Sequence, residues 1–198
     1  ETPSFSATGP FGVNEADGNG TAVGDVDAVD GDGGATDANL TYAIVGGNTG
    51  GAFAIDGGTG AITVASAAAV DFDASPTFSL DVEADDGANA PTATVTVNVS
   101  NAAPSTPVDA DGASGGAIAE DAVNGTAVGI TADSTDPGGG TVSYALTDDA
   151  GGRFQINAGT GVVTVADASL IDFESATSHT IDVRATDDDG AESGTASF

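Results

Sequence analysis

FAIDGGTGAITV, from Phe53 to Val64, returns 101 residues later as FQINAGTGVVTV, from Phe154 to Val165, with seven of the twelve positions identical. In each copy apolar residues alternate, Phe53 and Ile55 then Ile62 and Val64, around a glycine-rich turn. Period-2 alternation marks half-buried strands, and glycine supplies the positive φ angles that tight turns require. The repeat extends outward in both directions. NGTAVG at Asn19 to Gly24 recurs unchanged at Asn124 to Gly129, and VDFDA around Asp71 and Asp73 recurs as IDFES around Asp172 and Glu174. A strand-like run follows each turn, FSLDVEADDG from Phe78 and HTIDVRATDDDG from His179. Self-similarity at this period means two domains of about 100 residues each.

Further alternating strings at Leu40, Tyr42, Ile44, at Phe78, Leu80, Val82 and at Val95, Val97, Val99 complete the strand set of the first copy. Many short strands in each hundred residues predict an all-β fold, two tandem immunoglobulin-like Greek-key β-sandwiches. Residues 1–103 and 104–198 form the two domains, with the boundary near Pro104. The stretch NAAPSTPVDADGASGG, Asn101 to Gly116, reads as linker plus an irregular first strand of the second domain.

Charge narrows the function classes. The 198 residues carry 31 acidic side chains against Lys+Arg of 2, a formal charge of −29. Nucleic acid and anionic membrane surfaces are excluded as partners, because nothing basic faces them. Cations are the natural partners. No run is long and apolar enough to insert into a membrane. The absence of cysteine removes disulfides, thiolate nucleophiles and Cys-based zinc sites. A salt-adapted, solvated surface would explain the total charge, but not the return of acids to equivalent positions in both copies.

The ordered series resembles cadherin repeats: a Glu near the first strand, an Asp cluster, a Tyr-x-Ile strand, F-x-I-x-x-x-T-G-x-I, an acidic turn and V-x-A-x-D. It is similar in particular to the glycine- and aspartate-rich repeats of large secreted bacterial (or archaeal) surface adhesins. The resemblance implies Ca2+ as the bound ion, held where successive repeats meet. It carries the ligand role onto Glu15, Asp71 and Asp73 at the lower end of domain 1, Asn98 and Asn101 of the linker, and Asp133, Asp136 and Asp187 at the top of domain 2. Asn98 and Asn101 stand where the family has Asp, and Gly138 stands where a second Asp is expected, which reduces the ion count to one or two. Asp30, Asp32 and Asp86 at the top of domain 1, and Glu120, Asp172 and Glu174 at the bottom of domain 2, form half-sites. Gathering oxygens from several loops suits calcium, which takes six to eight of them.

The implied function is a calcium-rigidified extracellular structural or adhesive module at the cell surface, a segment of an adhesin or a filament subunit. Its partners would be neighbouring repeats or like subunits, end to end. An alternative is a calcium-dependent module binding matrix polysaccharide, and a third reading is a fibre built by strand exchange. Enzyme chemistry lacks its parts. Sugar platforms need aromatic rings, yet there is no Trp and only Tyr42 and Tyr144, at equivalent strand positions, which read as core or rim packing. The single histidine, His179, aligns with Phe78 on an apolar face, and no Ser has a His and acid beside it. Asn19, Asn39, Asn98 and Asn124 match the N-glycosylation acceptor pattern, one that arises readily in a Thr-rich chain.

Overall fold

The computed structural model describes residues 1–30, 40–112 and 115–198, so Asp32 and Asn39 lie outside the described residues. Two compact units divide the chain, Glu1–Ala102 and Ala103–Phe198. Each is a β-sandwich.

The first unit contains β1 (Ser4–Ala7), β2 (Phe11–Asn14), β3 (Ala22–Asp25), β4 (Asp27–Val29), β5 (Thr41–Gly46), β6 (Phe53–Ile55), β7 (Ala61–Val64), β8 (Thr77–Asp85) and β9 (Thr92–Ser100). One sheet runs β2-β9-β8-β5, a second β3-β7-β6, and β1 pairs with β4. The inward faces are those that the alternation marks. Leu80, Val82, Val95 and Val97 meet Val26, Ile62 and Val64, all fully buried. Removing one such side chain from water is worth about 1.5–3 kcal/mol. Phe53 and Phe78 lock the two sheets edge to face, with centroids 5.0 Å apart. In the second unit the same pair is Phe154 and His179 at 6.2 Å, so the histidine does the packing work of a phenylalanine.

The second unit contains β10 (Val108–Asp109), β11 (Ala127–Asp133), β12 (Val142–Asp148), β13 (Phe154–Ile156), β14 (Val162–Val165), β15 (Asp182–Asp187) and β16 (Ala196–Ser197). Its sheets run β10-β11-β14-β13 and β12-β15-β16. The expected irregular first strand is the two-residue β10. In the first unit β2 runs parallel to β9, Phe11 opposite Val97 through Asn14 opposite Ser100. No strand forms between 115 and 126 among the described residues of the second unit, where Ala117 N–H instead donates to the Val128 carbonyl. An apolar groove of about 390 Å³ opens there, lined by Ile118, Ile130, Phe173, Ile181 and Phe198.

Tyr42 and Tyr144 belong to the cores. Their hydroxyls accept the backbone N–H of Ala28 at 3.1 Å and of Ser134 at 3.0 Å, which ties β5 to β4 and β12 to the residue that follows β11. Rings used in this way offer no stacking face to a sugar, so the polysaccharide reading loses the platform it needs.

The turn between β6 and β7 shows why the opening motif repeats. Asp56 Oδ1 accepts N–H bonds from Gly58 and Thr59, each 2.9 Å, and the Thr59 hydroxyl at 3.0 Å. Asn157 does the same for Gly159 and Thr160, each at 3.0 Å. Gly60 and Gly161 close the turns at φ +76° and +70°. A Cβ there would stand 2.1 Å from the Val26 carbonyl oxygen and 2.0 Å from that of Ala132, so nothing larger fits. The Gly58 N–H, followed by the Thr59 hydroxyl and N–H, holds the Asp56 carboxyl below its ordinary 3.8. A lowered folded-state value adds stability above the ordinary carboxylate range, and that stability is lost as pH falls through the lowered value. Asn157 keeps the bonds without titrating. Asp56→Asn should therefore flatten the acid limb of first-unit stability below about pH 4 while leaving the second unit unchanged, as measured by denaturant unfolding across pH.

Candidate cation-binding ends of the two units

The lower end of the first unit is organised by one buried acid. Glu15 follows β2 directly and is only 4% exposed. Its Oε2 accepts the Phe72 N–H at 2.9 Å and its Oε1 accepts the Ala102 N–H at 2.7 Å. Its own N–H donates to the Ser100 carbonyl at 3.2 Å. One side chain thus pins the acidic turn between β7 and β8 to the segment leaving β9. Asp71 caps that turn, Oδ1 accepting the Ala74 N–H at 2.8 Å, while Asp73 is exposed beside it. Asn14 braces the other side through its Nδ2, which donates to the Asn101 carbonyl at 3.1 Å and to Ser100 Oγ at 3.0 Å. Asn101 is therefore brought to this end. Asn98 is not: on β9 it faces away from Val97 and Val99, exposed, and accepts the Thr77 hydroxyl at 3.3 Å.

At the other end of the first unit, Asp86 Oδ1 accepts the N–H groups of Asn89 and Ala88 at 2.6 and 2.7 Å. Those donors, Asn89 first, hold its carboxyl below the usual range. Asp30 is half-buried at the end of β4, and its Oδ1 is enclosed without a hydrogen bond.

The second unit places its buried acid at the opposite kind of end. Asp187, 5% exposed at the end of β15, accepts the Ala191 N–H on Oδ1 at 2.7 Å. Asp136, half-buried in the loop after β11, accepts the Gly138 N–H at 3.2 Å. Asp188 stands beside Asp136: its Oδ1 accepts the Thr141 N–H at 3.1 Å, and it brings a carboxylate oxygen within 4.8 Å of one from Asp136. The sequence reading missed Asp188, because its counterpart in the first copy is Gly87. Asp133 stays on β11 opposite Val108, exposed.

The remaining acids, Glu120, Asp172 and Glu174, are all exposed. Asp172 is spent on its own turn, accepting the Glu174 and Ser175 N–H groups at 3.0 and 3.3 Å and the Ser175 hydroxyl at 2.6 Å. The Ser175 side chain leads in holding its carboxyl below the usual range. Glu120 clamps nothing comparable to what Glu15 holds, because the chain around it lacks the strand pairing that seats Glu15 beside β9.

Among the described residues, Glu15 and Asp187 are the two buried acids. The acids that share an end with each of them, Asp71 and Asp73 in the one unit and Asp136 and Asp188 in the other, offer only oxygen donors, which suit a hard divalent cation. Burying a carboxylate costs several kcal/mol unless donors or a cation compensate, and here backbone N–H groups supply part of that.

The family model of the Cadherin domain matches residues 10–100 and 115–198. Human Protocadherin Fat 1 is 35% identical over 156 residues, 76% of this chain and 3% of that protein. Human Cadherin EGF LAG seven-pass G-type receptor 2 is 33% identical over 176 residues, 88% of this chain and 6% of that protein. The chain thus spans a small fraction of the relatives it matches. In fold it is similar to the crystal structure of mouse Cadherin-23 EC22-24, with TM-score 0.51 and 24% identity over 99% of this chain and 65% of that one. These relatives are animal proteins and lend no support to a bacterial or archaeal source.

The two copies of the first-strand glutamate should respond differently to the same change. Glu15→Gln leaves one of two partly buried N–H groups without an acceptor and should cost the first unit about 1–3 kcal/mol. Glu120→Gln, at an exposed site, should stay within about 0.5 kcal/mol. Calorimetric unfolding of the two variants checks the contrast.

Proposed function

The chain belongs to the cadherin family, and we propose that it serves as a calcium-rigidified extracellular adhesive module, one segment of a longer cell-surface array. Cadherin repeats are extracellular domains of cell-surface proteins, and their work is adhesion. Among the described residues no helix is long and apolar enough to cross a membrane.

One observation carries the calcium reading. The two buried acids, Glu15 and Asp187, both stand at positions where the family resemblance puts calcium ligands. Around Glu15, the carboxylates of Asp71 and Asp73 and the Asn101 side chain would complete one oxygen set. Around Asp187, Asp136 and Asp188 would complete another. Two carboxylates within 4.8 Å repel by about 1 kcal/mol even in water, and more where solvent is thin. A divalent cation converts that repulsion into attraction. Backbone N–H groups already fix Glu15, Asp71, Asp136 and Asp187, so binding pays little ordering entropy in those side chains.

Successive repeats of an array would otherwise meet acid to acid. Neutralising the ends lets like units stand end to end with a set orientation, and chelation returns them to mutual repulsion. Asn101 stands at this end in place of the family's Asp, which lowers the local formal charge and supports the weak affinity of an extracellular module, on the order of 10⁻⁴–10⁻³ M.

Calcium titration by calorimetry, with thermal unfolding in calcium against sodium chloride of equal ionic strength, tests this. Saturable heat and a chelator-reversible rise in Tm are expected, both reduced at least about tenfold in apparent affinity by Asp187→Asn. Equal stabilisation by the two salts without binding heat would leave only a salt-adapted acidic surface.

A further inference from the structure

The chain contains two Asn-Gly pairs, Asn19-Gly20 and Asn124-Gly125, at equivalent places in the NGTAVG motif. Neither pair belongs to the acidic sets at the ends of the units. Asn-Gly is the dipeptide in which the backbone nitrogen most readily attacks the side-chain amide, because glycine has no Cβ to hinder the approach. The Gly nitrogen loses its proton and bonds to the Asn Cγ. Ammonia leaves, a five-membered succinimide forms, and water reopens it to aspartate or isoaspartate.

Both pairs sit in the same turn. Thr21 N–H donates to the Gly18 carbonyl at 3.2 Å and Thr126 N–H to that of Val123 at 3.0 Å. Gly20 and Gly125 take φ +89° and +86°, as the third residue of such a turn requires. Each nitrogen that would attack is already engaged. Gly20 N–H donates to the Val64 carbonyl at 2.7 Å, and Gly125 N–H to that of Val165 at 2.8 Å. Each electrophilic amide is also anchored. Asn19 Oδ1 accepts the Ala67 N–H at 2.6 Å and Asn124 Oδ1 the Ala168 N–H at 2.7 Å, which caps the short 3-10 turn after β7 and after β14. Both Asn side chains are exposed, so water reaches them freely; the restraint is the hydrogen bonding alone.

We propose that Asn19 and Asn124 are deamidation sites gated by the fold, closed in the native turn and opened only when the turn separates from β7 or β14. Ring closure needs the Gly nitrogen freed from its strand carbonyl and the Asn amide freed from the 3-10 turn, two bonds that break together on local opening. Where the ring reopens to isoaspartate, the product prevents reclosure. Isoaspartate inserts a methylene into the backbone at the turn and displaces Thr21 from Val64, whose N–H donates to the Thr21 carbonyl at 2.9 Å. Each unit therefore records its own openings as a covalent mark.

The test incubates the whole chain at mildly alkaline pH, folded and in urea, and follows both sites by peptide mass spectrometry with isoaspartate detection. In urea the two Asn-Gly sites should convert together, ahead of Asn98 and Asn101. In the fold both should slow by about tenfold or more, and the faster of the two should be the one whose Gly amide exchanges hydrogen faster. Folded rates equal to those in urea, or a ranking opposite to hydrogen exchange, overturn the proposal.

Discussion

A chain with 31 acids and two arginines has almost no side-chain cations with which to satisfy its carboxylates. Among the described residues Arg184 pairs with Glu192, while Arg153 is spent on the carbonyls of Ala150 and Leu170. Many of the remaining acids turn to the backbone. Asp56, Asp71, Asp86, Asp136, Asp172, Asp187 and Glu15 each accept backbone N–H groups. Tight turns of glycine and small residues expose such donors, and short aspartate side chains reach them. The composition that makes the chain so acidic is therefore also what closes its turns.

That arrangement separates two kinds of acid. Asp56 and Asp172 are exposed and Asp86 is half-buried, and donors in their own loops hold their carboxyls low, so they stabilise turns above the acid range. Glu15 and Asp187 are buried at unit ends, where they hold together segments distant in sequence. Glu15 joins residues 72 and 102, and loss of its charge affects both. Backbone donors occupy only part of a carboxylate's capacity to accept, so each of these side chains keeps oxygen lone pairs to offer.

The sandwich was legible because burial follows period 2 closely: Phe78, Leu80 and Val82 point inward on β8 as their spacing predicts. Within the first unit, Glu15 reaches the Phe72 and Ala102 amides and so lies at the same end as Asp71. Other features depended on facts that spacing does not carry. Asp188 has glycine as its counterpart, so the comparison between copies passed over it. Glu120 matches Glu15 in sequence but not in burial, because burial depends on the parallel pairing of β2 with β9, a long-range contact with no local signature. The capping bonds of Asn19 and Asn124 span 48 and 44 residues and are equally silent in the sequence.

Hydrogen exchange of the whole chain, resolved by residue and compared between calcium and sodium chloride of equal ionic strength, tests the central claim most directly. The amides that serve the end acids are the reporters: Phe72 and Ala102 for Glu15, Ala191 for Asp187, Thr141 for Asp188. If these ends hold calcium, exchange at those four positions slows in calcium while Gly58 and Ser169, whose acceptors Asp56 and Asp167 belong to neither ligand set, stay unchanged. Exchange that is identical in the two salts, or that changes evenly across the chain, would contradict cation binding at the ends and leave the charge as a property of the surface alone.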